Sequence, residues 1–251
     1  MQSRIFAVIP ALNEEAVIGQ VVQNLPRDLL DQIIVVDNGS TDDTAMVAWE
    51  AGAVVVTEPE RGYGAACAAG VALARRLGAT VIVLLDGDAS DVPSDLHAIL
   101  APVLAGDADF VMGSRARGSA EPGALTPQQR FGNRLAARIL RRYGLAITDL
   151  GPFRAIRADA LAALDMRERT YGWSTEMLVK AARAGLRVHE APVSYRKRAG
   201  GKSKVGGTIC GSIKAAVVIL QTAYRYAGWD PNPPAPFPTG ERGVEVVAST
   251  R

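Results

Sequence analysis

Cysteine is nearly absent: the 251-residue chain carries only Cys67 and Cys210. That excludes a disulfide scaffold, and no CxxC or Cys/His cluster points to zinc. Histidine is as scarce. His97 and His189 each fall within an element away from the polar loops, so neither is assigned a role. Charge of one sign is lacking too. Against 28 Lys and Arg stand 26 Asp and Glu, a net of +2, which argues against a general nucleic-acid binder. No apolar run reaches the roughly 18–20 residues of a membrane span. The nearest, Ala215 to Leu220, is bounded by Lys214 and Arg225. The opening MQSRIFAVIPALNEE does not read as a signal peptide, because its short apolar stretch runs straight into Asn13-Glu14-Glu15. A reducing cytoplasm is the expected compartment. The inner face of a membrane is the alternative.

What is present is an ordinary globular composition, 48% hydrophobic and 22% charged, which excludes wholesale disorder. Near-continuous apolar runs at Ile5–Ile9, Ile33–Val36, Val54–Thr57, Val81–Leu85 and Phe110–Met112 predict strands covered on both faces. Helical patterns alternate with them. Val17, Ile18, Val21, Val22 and Leu25 form one stripe, with Asn13 as a cap. Ser40 or Thr41 is expected to cap the next helix. Ala-rich residues 62–77 and residues 93–104 make two more. Strands alternating with helices predict an α/β fold, a mainly parallel central sheet with helices on both faces. Residues 115–127 (RARGSAEPGALTP) read as a mobile loop, followed by a basic helix over 127–143. ITDLGPFRAI is strand-like, and further helices are expected near 157–164, 174–184 and 206–227, with a strand over 187–195. The proline-rich residues from Trp229 onward are expected to be extended or disordered.

Polar groups gather at three successive strand ends. Asp86-Gly87-Asp88 follows the fourth strand, Pro10-Ala11-Leu12-Asn13-Glu14 the first, and Asp37 to Asp42 the second. In an open α/β sheet, ligands bind outside the carboxyl ends of strands. Asp86 and Asp88 are hard oxygen donors, suited to Mg²⁺ or Mn²⁺ bridging a diphosphate. A plain turn is the alternative for that triplet, and capping the alternative for the other two loops. Arg196, Lys197, Arg198, Lys202 and Lys204 form the main local cluster of cations.

PALNEE, VVDNGSTDDT, RGYGAACAAG, LLDGD and VMGSR, in that order and spacing, resemble family-2 glycosyltransferases with the nucleotide-diphospho-sugar (GT-A) fold. Within them the chain looks most like the dolichol-phosphate mannose synthase group and its bacterial polyprenyl-phosphate relatives. The RAGGKSK segment, 198–204, and Asp149 with Phe153-Arg154 carry the subgroup likeness. The resemblance implies a transferase domain over 1–228, with a nucleotide half to about 115 and an acceptor half after it. Residues 229–251 would be a tail. It implies that Pro10, Leu12, Glu14, Asp37, Asn38, Gly62, Asp86, Gly87, Asp88, Arg198 and Lys204 bind the nucleotide sugar. Asp86 and Asp88 would hold Mg²⁺ or Mn²⁺. Asp88, Arg115 and Glu176 are the catalytic candidates, and Arg115, Arg130, Arg134, Lys202 and Ser203 the acceptor-phosphate candidates.

Alternatives stand beside several of these roles. Glu176 reads equally as the acidic member of a capping box or as a general base for a hydroxyl acceptor. Arg130 and Arg134 share a helix face, which is either a phosphate clamp or a solvated basic surface. The segment 196–204 is expected to close as a lid over a bound diphosphate and to be displaced without one. The helix after it either packs on the domain or lies on an anionic membrane. The chain departs from the family at Leu12, where a tyrosine is common, at Ser90, and at Leu150-Gly151-Pro152. The implied activity is hexose transfer from a GDP-mannose or UDP-glucose type donor to a polyprenyl phosphate. Transfer to a small hydroxyl or phosphoglycerate-type acceptor is the second reading, and nucleotide-sugar binding without turnover the third. The partners are then the nucleotide sugar, one of these acceptors, and a membrane surface or a second copy of the chain. Nucleic acid is not among them.

Overall fold

Each apolar run becomes a strand of one sheet. A computed structural model describes residues 3–199, 217–218, 220–231 and 246–247. β1 (Ile5–Ala11), β2 (Gln32–Asp37), β3 (Val54–Thr57) and β4 (Val81–Leu84) lie parallel in the order β3-β2-β1-β4. Beyond β4 come β5 (Phe110–Ala120), β6 (Arg154–Arg157) and β7 (Val188–Tyr195). β6 is antiparallel to both β4 and β5, and β5 is parallel to β7. The helices are α1 (Ile18–Asn24), α2 (Thr44–Glu50), α3 (Tyr63–Arg76), α4 (Leu96–Leu104), α5 (Pro127–Leu140), α6 (Ala158–Ala163) and α7 (Trp173–Arg183).

Alternation along the strands builds two cores. Phe6 and Val8 of β1, with Ile34 and Val36 of β2, face α3 and α7. Ala7 and Ile9, with Ile33 and Val35, face α1, α2 and α4. Both faces of the central strands are therefore covered, which is why their sequences read as unbroken apolar runs. α3 sits unusually close to the sheet. A β-carbon at Gly70 would overlap the side chains of Val8 and Val36, and one at Gly64 would overlap the Glu168 carbonyl. The glycines let the segment 165–172 rest on the start of α3.

Two expectations need correction. Residues 115–120 are not loop but the outer half of β5, paired to β7 after a register shift between Ser114 and Ser119. The strand expected over ITDLGPFRAI shrinks to Arg154–Arg157. Pro152 has no N–H to donate, and the amides of Thr148, Asp149 and Leu150 are taken by side chains instead. In the tail, Val246–Val247 forms a short strand, β8, antiparallel to β3, in line with the extended form expected there. Of the helix expected over 206–227, residues 217–218 and 220–225 are described and helical. The basic helix starts as expected at Pro127. Thr126 and Gln129 form a reciprocal capping box, worth about 1 kcal/mol.

Gly64→Ala is expected to cost about 1–3 kcal/mol, because backbone rather than a soft side chain blocks the new methyl. Gly132→Ala in α5, where nothing lies within 4 Å, should instead stabilise by up to about 1 kcal/mol. Urea unfolding of the two variants measures the opposite signs.

Candidate active site

The loops after β1 and β2 are stitched together by side chains. Asn13, at φ 51°, donates its N–H to Ser40 Oγ at 2.9 Å and accepts from the Thr41 N–H at 2.8 Å. The Glu14 N–H donates to Thr44 Oγ1. Neither Asn13 nor Ser40 nor Thr41 therefore caps a helix. α1 and α2 have no side-chain cap in the usual position, because these groups are spent joining one loop to the other.

Asp37 and Asn38 are also occupied. Asp37 accepts the Ser40 N–H at 3.1 Å and does not line the cavity. Asn38 does line it, but its Nδ2 donates to the Glu58 and Glu60 carbonyls at 3.0 and 2.7 Å, and its Oδ1 accepts the Gly62 N–H at 2.8 Å. The Asn38 side chain thus shapes the 58–62 loop, and the Asp37 side chain the turn to Ser40. Gly62 needs its glycine, with φ 152° and a would-be β-carbon on the Arg169 carbonyl.

A single cavity of about 890 Å³ opens over these strand ends. It brings together Pro10, Leu12, Glu14, Gly62, Asp86, Gly87, Asp88, Arg115 and Arg198 of the expected set. It also includes Arg61, Tyr63, Ser90 and Tyr195. Arg61 and Tyr63 stand inside the RGYG run and were within reach of motif reading. Tyr195, distant in sequence, gave no such signal.

Negative charge dominates the floor. Asp86 has its carboxyl pKa raised to about 7, by burial first and by Asp88 second, against the opposing fields of Arg115, Arg198 and Arg154. Asp91, buried beside it, accepts the Asp86 N–H and is raised by burial and by Asp86. Two crowded carboxylates with hard oxygen donors fit a divalent cation, which would relieve the repulsion. Among the described residues no group of three or more His, Cys, Asp or Glu could hold a metal by itself. Further ligands would have to come from a diphosphate. A guanidinium supplies one cation to these carboxylates. Arg198 contacts Asp88 Oδ2 at 2.7 Å and Glu14 Oε1 at 3.0 Å. The segment expected to act as a lid is described only to residue 199, and within it Arg198 is drawn to these carboxylates. Lys202, Ser203 and Lys204 lie outside the described residues.

Arg115 enters from the register break in β5, the kind of irregularity that re-aims a side chain. Asp149 fixes it. That carboxylate accepts Arg115 Nε at 2.7 Å, Nη2 at 2.8 Å and the Arg115 backbone N–H at 2.9 Å, and also Asn133 Nδ2 at 2.6 Å. Burial opposes the Arg115 charge, but the Asp149 pair prevails and holds its pKa above the ordinary value. The guanidinium also lies 4.8 Å from the Tyr195 ring centroid. Asp149 had no role assigned from sequence. Its motif was visible, its partners were not.

Glu176 is not at the cavity. It is fully buried, pairs with Lys180 at 2.7 Å, and accepts the N–H groups of Arg167 and Glu168 at 2.8 and 2.7 Å. It also makes no capping box, since α7 has no side-chain cap. Both expected roles are corrected: Glu176 holds the 165–168 segment to α7. Arg130 and Arg134 are exposed on α5 and do not line the cavity. The clamp reading is corrected in favour of the solvated basic face.

The residues 6–164 match the family model for Glycosyl transferase family 2. The chain belongs to this family. A family-2 glycosyltransferase uses a nucleotide sugar, and the strand-end cavity is where this one has room for it. An uncharacterized glycosyltransferase of Mycobacterium tuberculosis is 41% identical over 83% of this chain and 92% of its own length. The undecaprenyl-phosphate mannosyltransferase of Micrococcus luteus is 32% identical over 90% of this chain and 97% of its own. Among solved structures, glucosyl-3-phosphoglycerate synthase from M. tuberculosis, in complex with Mn²⁺, UDP-glucose and phosphoglyceric acid, superposes with TM-score 0.72 at 25% identity. It covers 88% of this chain and 80% of that one. The GT-A fold expected of this glycosyltransferase is thereby established. Among its described residues, no helix is long and apolar enough to cross a membrane.

Removing Glu176 strands a buried cation. Glu176→Ala should cost about 3–5 kcal/mol, and the double variant Glu176→Ala/Lys180→Met should recover most of it. Thermal unfolding of both, beside wild type, checks the pair.

Proposed function

We propose that this glycosyltransferase moves a hexose from a nucleotide diphosphate donor to the phosphate of a polyprenyl phosphate. The carrying observation is where the cavity keeps its carboxylates. Glu14 and Asp88 pair with Arg198, and Asp86, the third acidic lining residue, lies in the fields of Asp88 and Arg198. The rest of the polar lining includes Arg115, Thr126, Gln129, Ser174 and Tyr195. The three carboxylates are thus taken by Arg198 or assigned to the metal, and the lining has no imidazole to take a proton. An alcohol attacking there would lack a protein base, whereas a phosphate oxygen is already anionic. The likeness to the mannosyltransferase of M. luteus supports the same acceptor class.

In this reading Arg115, locked by Asp149, orients the acceptor phosphate. One of its oxygens attacks the anomeric carbon, the new C–O bond forms, and the bond to the nucleoside diphosphate breaks, the leaving oxygen taking the electron pair. Asp86 and Asp88 would hold Mg²⁺ or Mn²⁺, which supplies charge neutralisation to the diphosphate. Arg198, which pairs with Asp88 and Glu14, would be the cation placed to meet the diphosphate.

A second reading has a specific observation in its favour. The superposed synthase is seen with phosphoglyceric acid, and Arg115 would suit that phosphate too. Reading the chain as a binding protein without turnover rests on Leu12, Ser90 and residues 150–152. Ser90 is buried, its N–H given to Asp88 Oδ1, so it supports that carboxylate's position.

Two measurements test the proposal. In a donor screen with Mn²⁺, nucleotide release should require polyprenyl phosphate. Release with 3-phosphoglycerate alone would establish the second reading, and tight binding without release the third. Asp88→Ala should abolish Mn²⁺-dependent nucleotide binding by calorimetry while the variant still folds, the loss of this buried carboxylate's bonds to Ser90 and Arg198 costing about 1–3 kcal/mol. Unchanged binding would remove Asp88 from the metal site.

A further inference from the structure

Arg115 stands where β5 loses its pairing. The last registered pair before the break joins Ser114 to Pro192, and the next joins Ser119 to Ser194. Pro192 has no N–H to give to the ladder. The backbone N–H of Arg115 goes instead to Asp149, as does its guanidinium. The aim of Arg115 therefore depends on the turn that carries Asp149. That turn has no regular structure of its own, since residues 145–153 belong to no helix or strand. One side chain of β7 grips it. Glu190 Oε1 accepts the N–H groups of Thr148 and Asp149 at 2.7 and 3.2 Å, and Oε2 accepts from Thr148 Oγ1 at 2.9 Å. The direction of the next bond follows. A carboxylate only accepts, so Thr148 gives its hydroxyl proton to Glu190. Ser114 Oγ, 2.8 Å from Thr148 Oγ1, is then the donor of that pair. Ser114 is fully buried and directly precedes Arg115. Glu190 thus reaches Arg115 from two sides, along the chain through Ser114 and across space through Asp149. A β-carbon at Gly151 would overlap the Gly113 carbonyl, so the turn lies directly against β5.

We propose that Glu190 is a positioning residue for the transfer reaction: it fixes the 148–149 turn so that Asp149 keeps Arg115 aimed at the acceptor phosphate. The inference rests on the reading above, in which Arg115 orients that phosphate. Glu190 is not among the cavity-lining residues, so it acts through Arg115 and not on the substrate. Side chains do here what the interrupted ladder does not, joining β7 to β5 across the break. The place calls for a carboxylate, because two amide N–H groups and one hydroxyl converge on it as donors. A glutamine accepts through one atom only. Facing its oxygen to the two amides turns its NH₂ toward Thr148 and strands the hydroxyl proton that Glu190 now accepts. The phosphate can belong to a polyprenyl phosphate or to a phosphoglycerate, since Arg115 meets the same group in both.

The test joins kinetics to a direct reading of Arg115 in the full chain. Turnover is followed with Mn²⁺, donor and whichever of polyprenyl phosphate and 3-phosphoglycerate supports nucleotide release. Glu190→Ala should lower kcat/KM for that acceptor about 100-fold, and Glu190→Gln about tenfold. The Kd for the Mn²⁺-nucleotide should stay within about twofold in both, a split that general loss of structure would not give. Because Glu190 acts through Arg115, Arg115→Ala/Glu190→Ala should be no slower than Arg115→Ala alone. Arg115 is also read by NMR without any acceptor. Its Nε–H resonance, identified by its absence from Arg115→Ala, should exchange with solvent about tenfold faster in Glu190→Ala. Thr148→Val keeps the shape and removes the hydroxyl, so it should move both readings the same way and replaces Glu190→Ala if that variant does not fold. Three results would overturn the proposal alone, each with Arg115→Ala impaired toward the acceptor. They are wild-type kcat/KM in the Glu190 variants, losses that multiply in the double variant, and an unchanged Arg115 Nε–H. Full activity of Arg115→Ala would instead overturn the acceptor role of Arg115, and this proposal with it.

Discussion

Like charges crowded at the end of β4 govern the site. Asp86, Asp88 and Asp91 converge within six residues of one strand end, and Glu14 reaches the same cavity. In a partly desolvated space such a group cannot stay ionised without cations. The protein answers in layers. Arg154 lies fully buried beneath the floor, donating to the Gly151 and Ser174 carbonyls. Arg115 lines the cavity within the field of Asp86, held by a carboxylate of its own. Arg198 closes from above onto Asp88 and Glu14. The first two are rigid because their partners are buried. The third comes from the segment after β7, and both of its carboxylate partners line the cavity.

The geometry of the cavity depends equally on close backbone packing. Gly62 and Gly64 let residues 168–170 lie directly on the start of α3. On its other side that segment is anchored by the buried Glu176–Lys180 pair, and Lys180 further donates to the Asp165 carbonyl at 2.6 Å. The same lysine lies 4.6 Å from the Tyr226 ring centroid and 5.1 Å from that of Trp229. Arg225 adds a contact to Glu168. The C-terminal helical residues are thereby tied, through α7, to the segment whose Thr170 and Tyr171 line the cavity. Burying an ion pair is weak evidence for stability in itself. Here it ties three stretches of chain to one another.

Much of this was legible beforehand. Doubly covered strands are unbroken apolar runs, so β1 to β4 and the start of β5 could be located from composition alone. The strand-end motifs named the carboxylates, because acidic residues on tight turns at strand ends stand out in the sequence. The errors share a cause. Asn13, Ser40, Asn38 and Glu176 are residue types with strong local uses as caps, base contacts or proton acceptors. In the fold each bonds to a chain segment remote in sequence, and that choice cannot be seen from neighbours along the chain.

By itself the sequence determined the α/β class, the family and the carboxylate pair at the end of β4, since periodicity and turn chemistry are local properties. Tertiary structure decided which polar groups remained available. Asn38 is used up by carbonyls of the 58–60 loop, Glu176 by Lys180 and two amides, and Asp149 by Arg115 and Asn133, while Arg130 and Arg134 turn outward. The physical reason is that a buried donor or acceptor must find a partner or bear its full desolvation cost. Which partner it finds is fixed only when the strands and helices that carry the two are packed.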